Sequence, residues 1–290
     1  VEHQVVVVGN KAYALGGFSG STLARVDEYD PATDTWTRKA DMPTARRRFA
    51  AGVINGRIYV SAGMSFSDPN GVTYLTATEE YDPATDSWTS RAPCPLDPAT
   101  NSVLGNVAIT GGAANGRLYV MVFNTNIPGF TETYEYDPAT DGWTTKSPPP
   151  FSYAQYAIGG VGSVLYLLAS ESGPNGRVAE YHAADDTWIV RAAVPGRWWA
   201  GLGGTDGTLY AIGGAAVNSN GTPTGVVGVV SQYDPASDRW IQRGSLGVPR
   251  HSAAVVSIGG VLYVIGGAST TDAYVPTPTA VVEAGELSAP

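Results

Sequence analysis

One eight-residue pattern, Tyr-Asp-Pro-Ala-Thr-Asp-x-Trp, constrains the fold of this chain more than any other feature. It stands at Tyr29–Trp36, Tyr81–Trp88 and Tyr136–Trp143, with looser copies at Tyr181–Trp188 and Tyr233–Trp240. Successive tyrosines are 52, 55, 45 and 52 residues apart. A period of about 50 residues marks a supersecondary unit that stacks on copies of itself. A catalytic motif occurs once, so a pattern present five times reads first as architecture.

The local chemistry predicts a strand, a turn and a strand. Asp-Pro opens a turn because proline presets φ and the aspartate can bond back to the chain. The residues ahead of each tyrosine (Arg25–Tyr29, Thr78–Tyr81, Thr133–Tyr136) are β-rich, and the tryptophan begins the next strand. A second recurrence lies between these hairpins. Lys11-Ala-Tyr-Ala-Leu-Gly-Gly17, Arg57-Ile-Tyr-Val-Ser-Ala-Gly63, Thr208-Leu-Tyr-Ala-Ile-Gly-Gly214 and Val261-Leu-Tyr-Val-Ile-Gly-Gly267 share one form. Arg117–Phe123 and Ser163–Ser170 keep the strand and lose the glycines. Upstream of each lies another β run ending in a tight turn such as Gly9-Asn10 or Asn55-Gly56.

Each unit therefore reads strand 1, tight turn, strand 2 ending Gly-Gly, variable loop, strand 3 ending Tyr-Asp-Pro, strand 4 starting at Trp. With Pro-x-x-Arg ahead of strand 1 (Pro43–Arg46) in places, this order resembles the kelch repeat over essentially the whole chain. The resemblance implies an all-β protein, a six-bladed β-propeller of four-stranded antiparallel blades around a central channel. It is expected to form one domain over 1–290, with units at about 1–42, 43–94, 95–148, 149–194, 195–248 and 249–290. The sixth unit ends at Pro290 without a tryptophan strand. Its outer strand is expected to be absent from this chain.

Composition narrows the class of partner. The chain has 290 residues and net charge −9, with three lysines (Lys11, Lys39, Lys146) beside fourteen arginines. That balance argues against nucleic acid and anionic membranes, which need basic surface. No apolar run is long enough to cross a bilayer. A start at Val1 suggests a processed or excised piece, and the low lysine content suggests a bacterial source. A secreted or otherwise extracytoplasmic location is expected, with the cytoplasm left open, and a monomer is the default.

In kelch propellers the loops from strand 2 to 3, and from strand 4 to the next strand 1, form the usual ligand face. Here they include the variable stretches Met64–Thr76, Phe123–Phe130, Ala215–Gly228 and Ala268–Thr279. Counting thirteen residues back from the strand-2 tyrosine aligns Arg46, Tyr153, Arg197 and Arg250, with unit three offset by an insertion around 101–106. The residues that follow include Arg47, Arg48 and Phe49; Tyr156; Trp198 and Trp199; His251; and, in unit one, Glu2 and His3. Trp198 and Trp199 are the only tryptophans outside the hairpin motif. The candidate channel-mouth set is thus Arg46, Arg48, Phe49, Tyr153, Tyr156, Arg197, Trp198, Trp199, Arg250 and His251. Aromatics and arginine forks suit a sugar or a carboxylate-bearing peptide. The competing reading has the three aligned arginines tying blades together and the tryptophan pair wedging a blade. Arg47 and Arg48, being adjacent in a strand, should point to opposite sides. His182 replaces the motif aspartate and reads as a turn variant.

Catalytic chemistry finds little support in the residue inventory. Copper-radical oxidases share the kelch fold but need a cysteine–tyrosine cross-link and several histidines. The chain offers Cys94 and only His3, His182 and His251. The Asp pairs of the hairpin read as turn caps rather than calcium ligands, and neither metal nor cofactor is expected. Gly-x-Ser-x-Gly, His-Glu-x-x-His and Cys-x-x-Cys are absent. The leading expectation is a non-catalytic module that binds a protein, peptide or glycan. The alternatives are a sialic-acid mutarotase-like enzyme, using Glu2 with Arg48 or Arg197, and a rigid spacer.

Overall fold

The computed structural model describes residues 1–67, 71–97, 107–124, 130–151, 155–170, 174–270 and 282–285. Among these residues there is no helix, and every strand pairing is antiparallel. Five sheets have four strands in the predicted order. The first runs Gln4–Val8, Lys11–Leu15, Val26–Asp30, Thr35–Arg38; the second Ala50–Ile54, Arg57–Ser61, Thr78–Asp82, Ser87–Arg91. The third runs Val107–Ala114, Arg117–Asn124, Thr131–Asp137, Gly142–Lys146; the fourth Gln155–Val161, Val164–Ser170, Gly176–His182, Thr187–Val194. The fifth runs Gly201–Thr205, Thr208–Ile212, Val229–Asp234, Arg239–Ser245. The sixth shows three strands among the described residues, Ala254–Ile258, Val261–Ile265 and Val282–Gly285.

The chain divides into two compact units, Glu2–Ala154 and Gln155–Pro290, with Val1 grouped with the second. Within each unit the first strands of successive sheets pack on one another. The cores lie between neighbouring sheets. In the first unit Tyr13, Leu15 and Val26 of sheet one meet Phe49, Ile58, Val60 and Tyr81 at sheet two. In the second unit Tyr210, Ile212 and Val230 of sheet five meet Val255, Leu262 and Val264 of sheet six. Each strand's alternation supplies both faces, because a middle sheet must bury both.

The hairpin motif does two jobs. Its first aspartate caps the turn: Asp30, Asp82, Asp137 and Asp234 each accept the N–H two residues on, at 2.8–3.0 Å. Its second aspartate takes a left-handed conformation in all five copies and accepts the hydroxyl of the motif tyrosine, at 2.5–2.8 Å. Asp86, Asp141 and Asp238 then reach across to the preceding sheet and accept the N–H of Ala40, Ala92 and Ala192. The motif tryptophans Trp88, Trp143 and Trp240 donate from the indole to the carbonyls of those same alanines, at 2.8–3.0 Å. In sheets two, three and five the motif therefore stitches the sheet to the one before it. The tyrosine and tryptophan rings of one copy lie 4.8–5.2 Å apart. Such pairs contribute about 1 kcal/mol beyond their burial.

The Gly-Gly at the other end has an equally specific cause. Gly213 and Gly214 both have positive φ, and a Cβ on Gly213 would sit 2.3 Å from the Arg250 carbonyl of the next repeat. Gly214 donates its N–H to that carbonyl. In sheets three and four, where the glycines are lost, strand 2 instead runs on as Arg117–Asn124 and Val164–Ser170. Two of the predicted loops are hairpins: Met64–Ser67 pairs with Gly71–Tyr74, and Ala215–Val217 with Pro223–Val226. In the second, Asn218 turns the chain by accepting the N–H groups of Asn220 and Thr222.

Candidate ligand-binding site

The three aligned arginines are buried. Arg46 and Arg250 are fully enclosed and Arg197 is 3% exposed. Arg46 donates to the carbonyls of Ala62 and Ala77 and to Glu79 Oε2, at 2.7–3.1 Å. Arg197 donates to the carbonyls of Val229 and Ala211 and to Ser231 Oγ. Arg250 donates to the carbonyls of Val248 and Gly266. Arg46 and Arg197 thus gather the ends of strands in their own sheets, and Arg250 ties the linker at Val248 to the end of strand 2 at Gly266. Burial lowers the Arg46 and Arg197 pKa, the latter to about 10, and Glu79 partly offsets the effect at Arg46. Phe49 is also buried, with its ring 6.0 Å from the Arg46 guanidinium. These four side chains leave no surface for a ligand, which corrects the expectation for Arg46, Phe49, Arg197 and Arg250. Their link to neighbours runs through the backbone: the carbonyls of Arg46 and Arg250 accept Gly17 and Gly214 of the preceding repeats.

Two residues after the arginine, the chain takes a turn that sequence reasoning missed. Arg48, Trp199 and Ser252 occupy this position, as does Glu2 in the first repeat, and all four have φ between +47° and +60°. A bulky residue there is strained, at about 1 kcal/mol. Backbone bonds on both sides hold the strain. Arg47 and His251 each exchange two hydrogen bonds with the residue after the Gly-Gly slot, Met64 and Ala268. Trp198 is paired with Ala215 in the same way. The left-handed residues are also linked in pairs: Arg48 donates its N–H to the Glu2 carbonyl and Ser252 to that of Trp199.

The consequence for side chains differs between the two units. In the first, Arg47 and Arg48 grip one carboxylate. Arg47 Nη1 lies 2.9 Å from Glu2 Oε2, and Arg48 Nε lies 2.6 Å from Glu2 Oε1. The expectation that the two arginines diverge fails because Arg48 at φ +47° breaks the strand's alternation. The Arg47 guanidinium also lies over the Phe18 ring, 4.8 Å from its centre. In the second unit, Trp199 stands 5.0 Å from the His251 ring and 6.3 Å from Trp198. Both tryptophans are partly exposed, whereas His251 is 6% exposed. Trp199 also donates its N–H to Ser170 Oγ. Tyr153 lies outside the described residues, and Tyr156 belongs to the strand Gln155–Val161 with nothing described of its side chain.

A second charged arrangement recurs within the sheets. The residue before the motif tyrosine (Glu28, Glu80, Glu135, Glu180, Gln232) faces the strand-2 tyrosine across the ladder. It meets a cation three residues after the motif tryptophan: Lys39, Arg91, Lys146, Arg191 or Arg243. In sheets one to three a second cation at the start of strand 2 (Lys11, Arg57, Arg117) pairs with the motif's first aspartate. Val164 removes that cation in sheet four. His182 stands in place of the aspartate there and puts Nε2 2.9 Å from Glu180 Oε1. His182 thus stands at the start of the turn and is also a hydrogen-bond partner of Glu180. Burial alone would raise the Glu180 pKa, but Arg191 and His182 outweigh it and hold it low.

Cys94 lies in the core between sheets two and three with Tyr74, Leu96 and Tyr134, and burial pushes its thiol up to about 12. No group of three or more His, Cys, Asp or Glu suited to a metal occurs among the described residues.

A family model described as the Kelch motif matches residues 1–43 and 45–95. The Kelch-like protein terF of Aspergillus terreus is 27% identical over 291 residues, covering 94% of this chain and 62% of the relative. The Kelch-like protein 15 of Danio rerio is 29% identical over 265 residues, covering 81% of this chain and 41% of the relative. Residues 1–95 thus carry Kelch motifs, and the chain is similar to kelch-repeat proteins over most of its length. It spans less than two thirds of the length of both relatives. A solved structure, that of YjhT, matches with a TM-score of 0.74 at 18% identity, over 98% of this chain and 94% of the other. Kelch relatives from a fungus and a fish lend no support to a bacterial origin.

Proposed function

We propose that this kelch chain is a six-bladed propeller, its sixth blade lacking an outer strand of its own, and that it works as a non-catalytic binding module. The fold likeness over 98% of the chain and the six successive antiparallel sheets support the propeller architecture. One observation carries the binding reading. Paired backbone bonds hold strained residues at one position in four repeats, three of them beside a buried arginine, and the four side chains all differ: Glu2, Arg48, Trp199 and Ser252. Strain concentrates where function needs a fixed geometry.

In the second unit Trp198 and Trp199 supply flat apolar faces for a sugar ring or an aromatic side chain. In the first, Arg48 is already engaged with Glu2 through Nε and Nη2 and offers a carboxylate only the part of its guanidinium that Glu2 leaves. The partner is a glycan or a carboxylate-bearing peptide or protein segment. Net charge −9 argues against nucleic acid, and no described helix is long and apolar enough to cross a membrane. A monomer outside the cytoplasm is the setting we favour.

Glycan and peptide arrays test the reading. Binding that disappears on Trp199→Ala or Arg48→Ala supports it, and binding unchanged in both variants refutes it. A mutarotase-like activity ranks second, because Glu2 is the carboxylate it would use and both its oxygens are already held by arginines. Anomer exchange above background, lost in Glu2→Gln, would reverse that order.

A further inference from the structure

The left-handed position carries a hydroxyl in the sixth repeat, and its neighbours give that hydroxyl a base. His251 Nε2 lies 2.7 Å from the Thr270 carbonyl oxygen. A carbonyl only accepts, so Nε2 carries the proton and, in the neutral ring, Nδ1 is an acceptor. Ser252 Oγ lies 2.9 Å from Nδ1 and must therefore donate to it. Ser252 is exposed, its backbone is fixed at φ +52°, and its N–H is bonded to the Trp199 carbonyl. Nucleophile, base and a group that fixes the base's tautomer are thus present together, which is the logic of an activated hydroxyl. No Gly-x-Ser-x-Gly stretch announces it. The strained backbone that exposes the serine comes from the repeat geometry instead.

We propose that Ser252 is a nucleophile served by His251 as general base, and that it takes the acyl group of a carboxylic ester whose flat face stacks on Trp199. Oγ attacks the ester carbonyl carbon while its proton passes to His251 Nδ1. The C–O bond to the alcohol breaks, the alcohol oxygen leaves with that proton, and an acyl-serine remains. A water then attacks the acyl carbon, gives its proton to Nδ1, and releases the acid, with the proton returning to Oγ. The ring sits beside Trp199, Ser252 and the Thr270 carbonyl, and burial lowers the His251 pKa, so the imidazole is neutral at pH 7.

The inference shares the face assigned to binding and, if it holds, replaces the non-catalytic part of that reading. It does not need the partner, so partner binding and acyl transfer fail separately. The test is to treat the whole chain with a fluorophosphonate probe and with 4-nitrophenyl acetate, and to map the modified residue by peptide mass. Ser252 should be the labelled serine, and Ser252→Gly, which suits the left-handed backbone, should abolish the label. His251→Phe keeps the ring volume and should slow labelling at least roughly tenfold, the low end of general-base effects. The wild-type rate should fall as the pH drops through the lowered histidine value and stay flat above pH 7. Label spread over other serines, or equal rates in wild type and His251→Phe, would overturn the proposal. Lost array binding with Ser252 still labelled would contradict the binding reading alone.

Discussion

Asp34, Asp86, Asp141, Asp186 and Asp238 at the hairpin end share one backbone conformation with Glu2, Arg48, Trp199 and Ser252 at the opposite end, with φ between 47° and 60°. At the hairpin end the residue never changes, and its carboxylate is bonded to its own tyrosine and, in three described cases, to the preceding sheet. At the opposite end the residue is acidic, basic, aromatic and hydroxylic in turn. Aspartate is among the residues that tolerate the left-handed region, whereas tryptophan there is an outlier. The same strain is thus part of the scaffold at one end and presents a different side chain in each of four repeats at the other.

The contrast predicts where substitutions act. The largest loss should come from Arg46→Ala, which leaves Glu79 buried without its cation. About 3–5 kcal/mol is expected from a broken buried pair, read as a shift of the urea midpoint. A loss under about 1 kcal/mol, the range of a surface pair, would mean the arginine is not the tie described. Asp238→Ala removes the bonds to Tyr233 and Ala192 and puts alanine at φ +49°. It should cost about 2 kcal/mol by the same measurement.

The hairpin end should also be pH-sensitive. The pKa values of Asp86, Asp141 and Asp238 are lowered, first by the tyrosine hydroxyl and then by the N–H across the sheet boundary. Groups depressed in the folded state stabilise it above the unfolded value of about 4 and lose that contribution as the pH falls through the folded values. Stability should therefore drop below about pH 4, and less steeply in Tyr233→Phe, where Asp238 loses the hydroxyl that does most to lower its pKa. A parallel drop in both proteins would remove the hairpin from the explanation.

The smallest effect concerns sheet four. If His182 replaced aspartate because Val164 replaced a cation, then Val164→Lys and His182→Asp should be coupled. A double-mutant cycle should give about 0.5 kcal/mol in favour of the pair. Strict additivity would reduce the exchange to coincidence.

Much of the fold was legible because it repeats. The Tyr-Asp-Pro-Ala-Thr-Asp-x-Trp hairpin, the Gly-Gly strand ends and the strand order all follow from local chemistry seen several times over. What was not legible depends on contacts between repeats. Nothing in Arg-Arg-Arg-Phe or Arg-Trp-Trp-Ala marks the third residue as left-handed, since the conformation is imposed by pairing with the residue after Gly-Gly. For that reason strand alternation misplaced Arg47 and Arg48, and of the two readings of the aligned arginines, ligand groups or structural ties, their burial favours the ties. The Glu–cation pairs could have been found by comparing positions three past each tryptophan. The hairpins at Met64–Tyr74 and Ala215–Val226 lacked a repeated pattern, and residues 101–106 and Tyr153 lie outside the described residues.

The most direct test of the division between the two ends is array binding by Trp199→Gly. Glycine relieves the strain at φ +58° and offsets lost packing, so folding stability should stay within about 1 kcal/mol of wild type. The account predicts a folded protein that no longer binds the glycans or peptides captured by the wild type. A folded variant that binds them undiminished would contradict it.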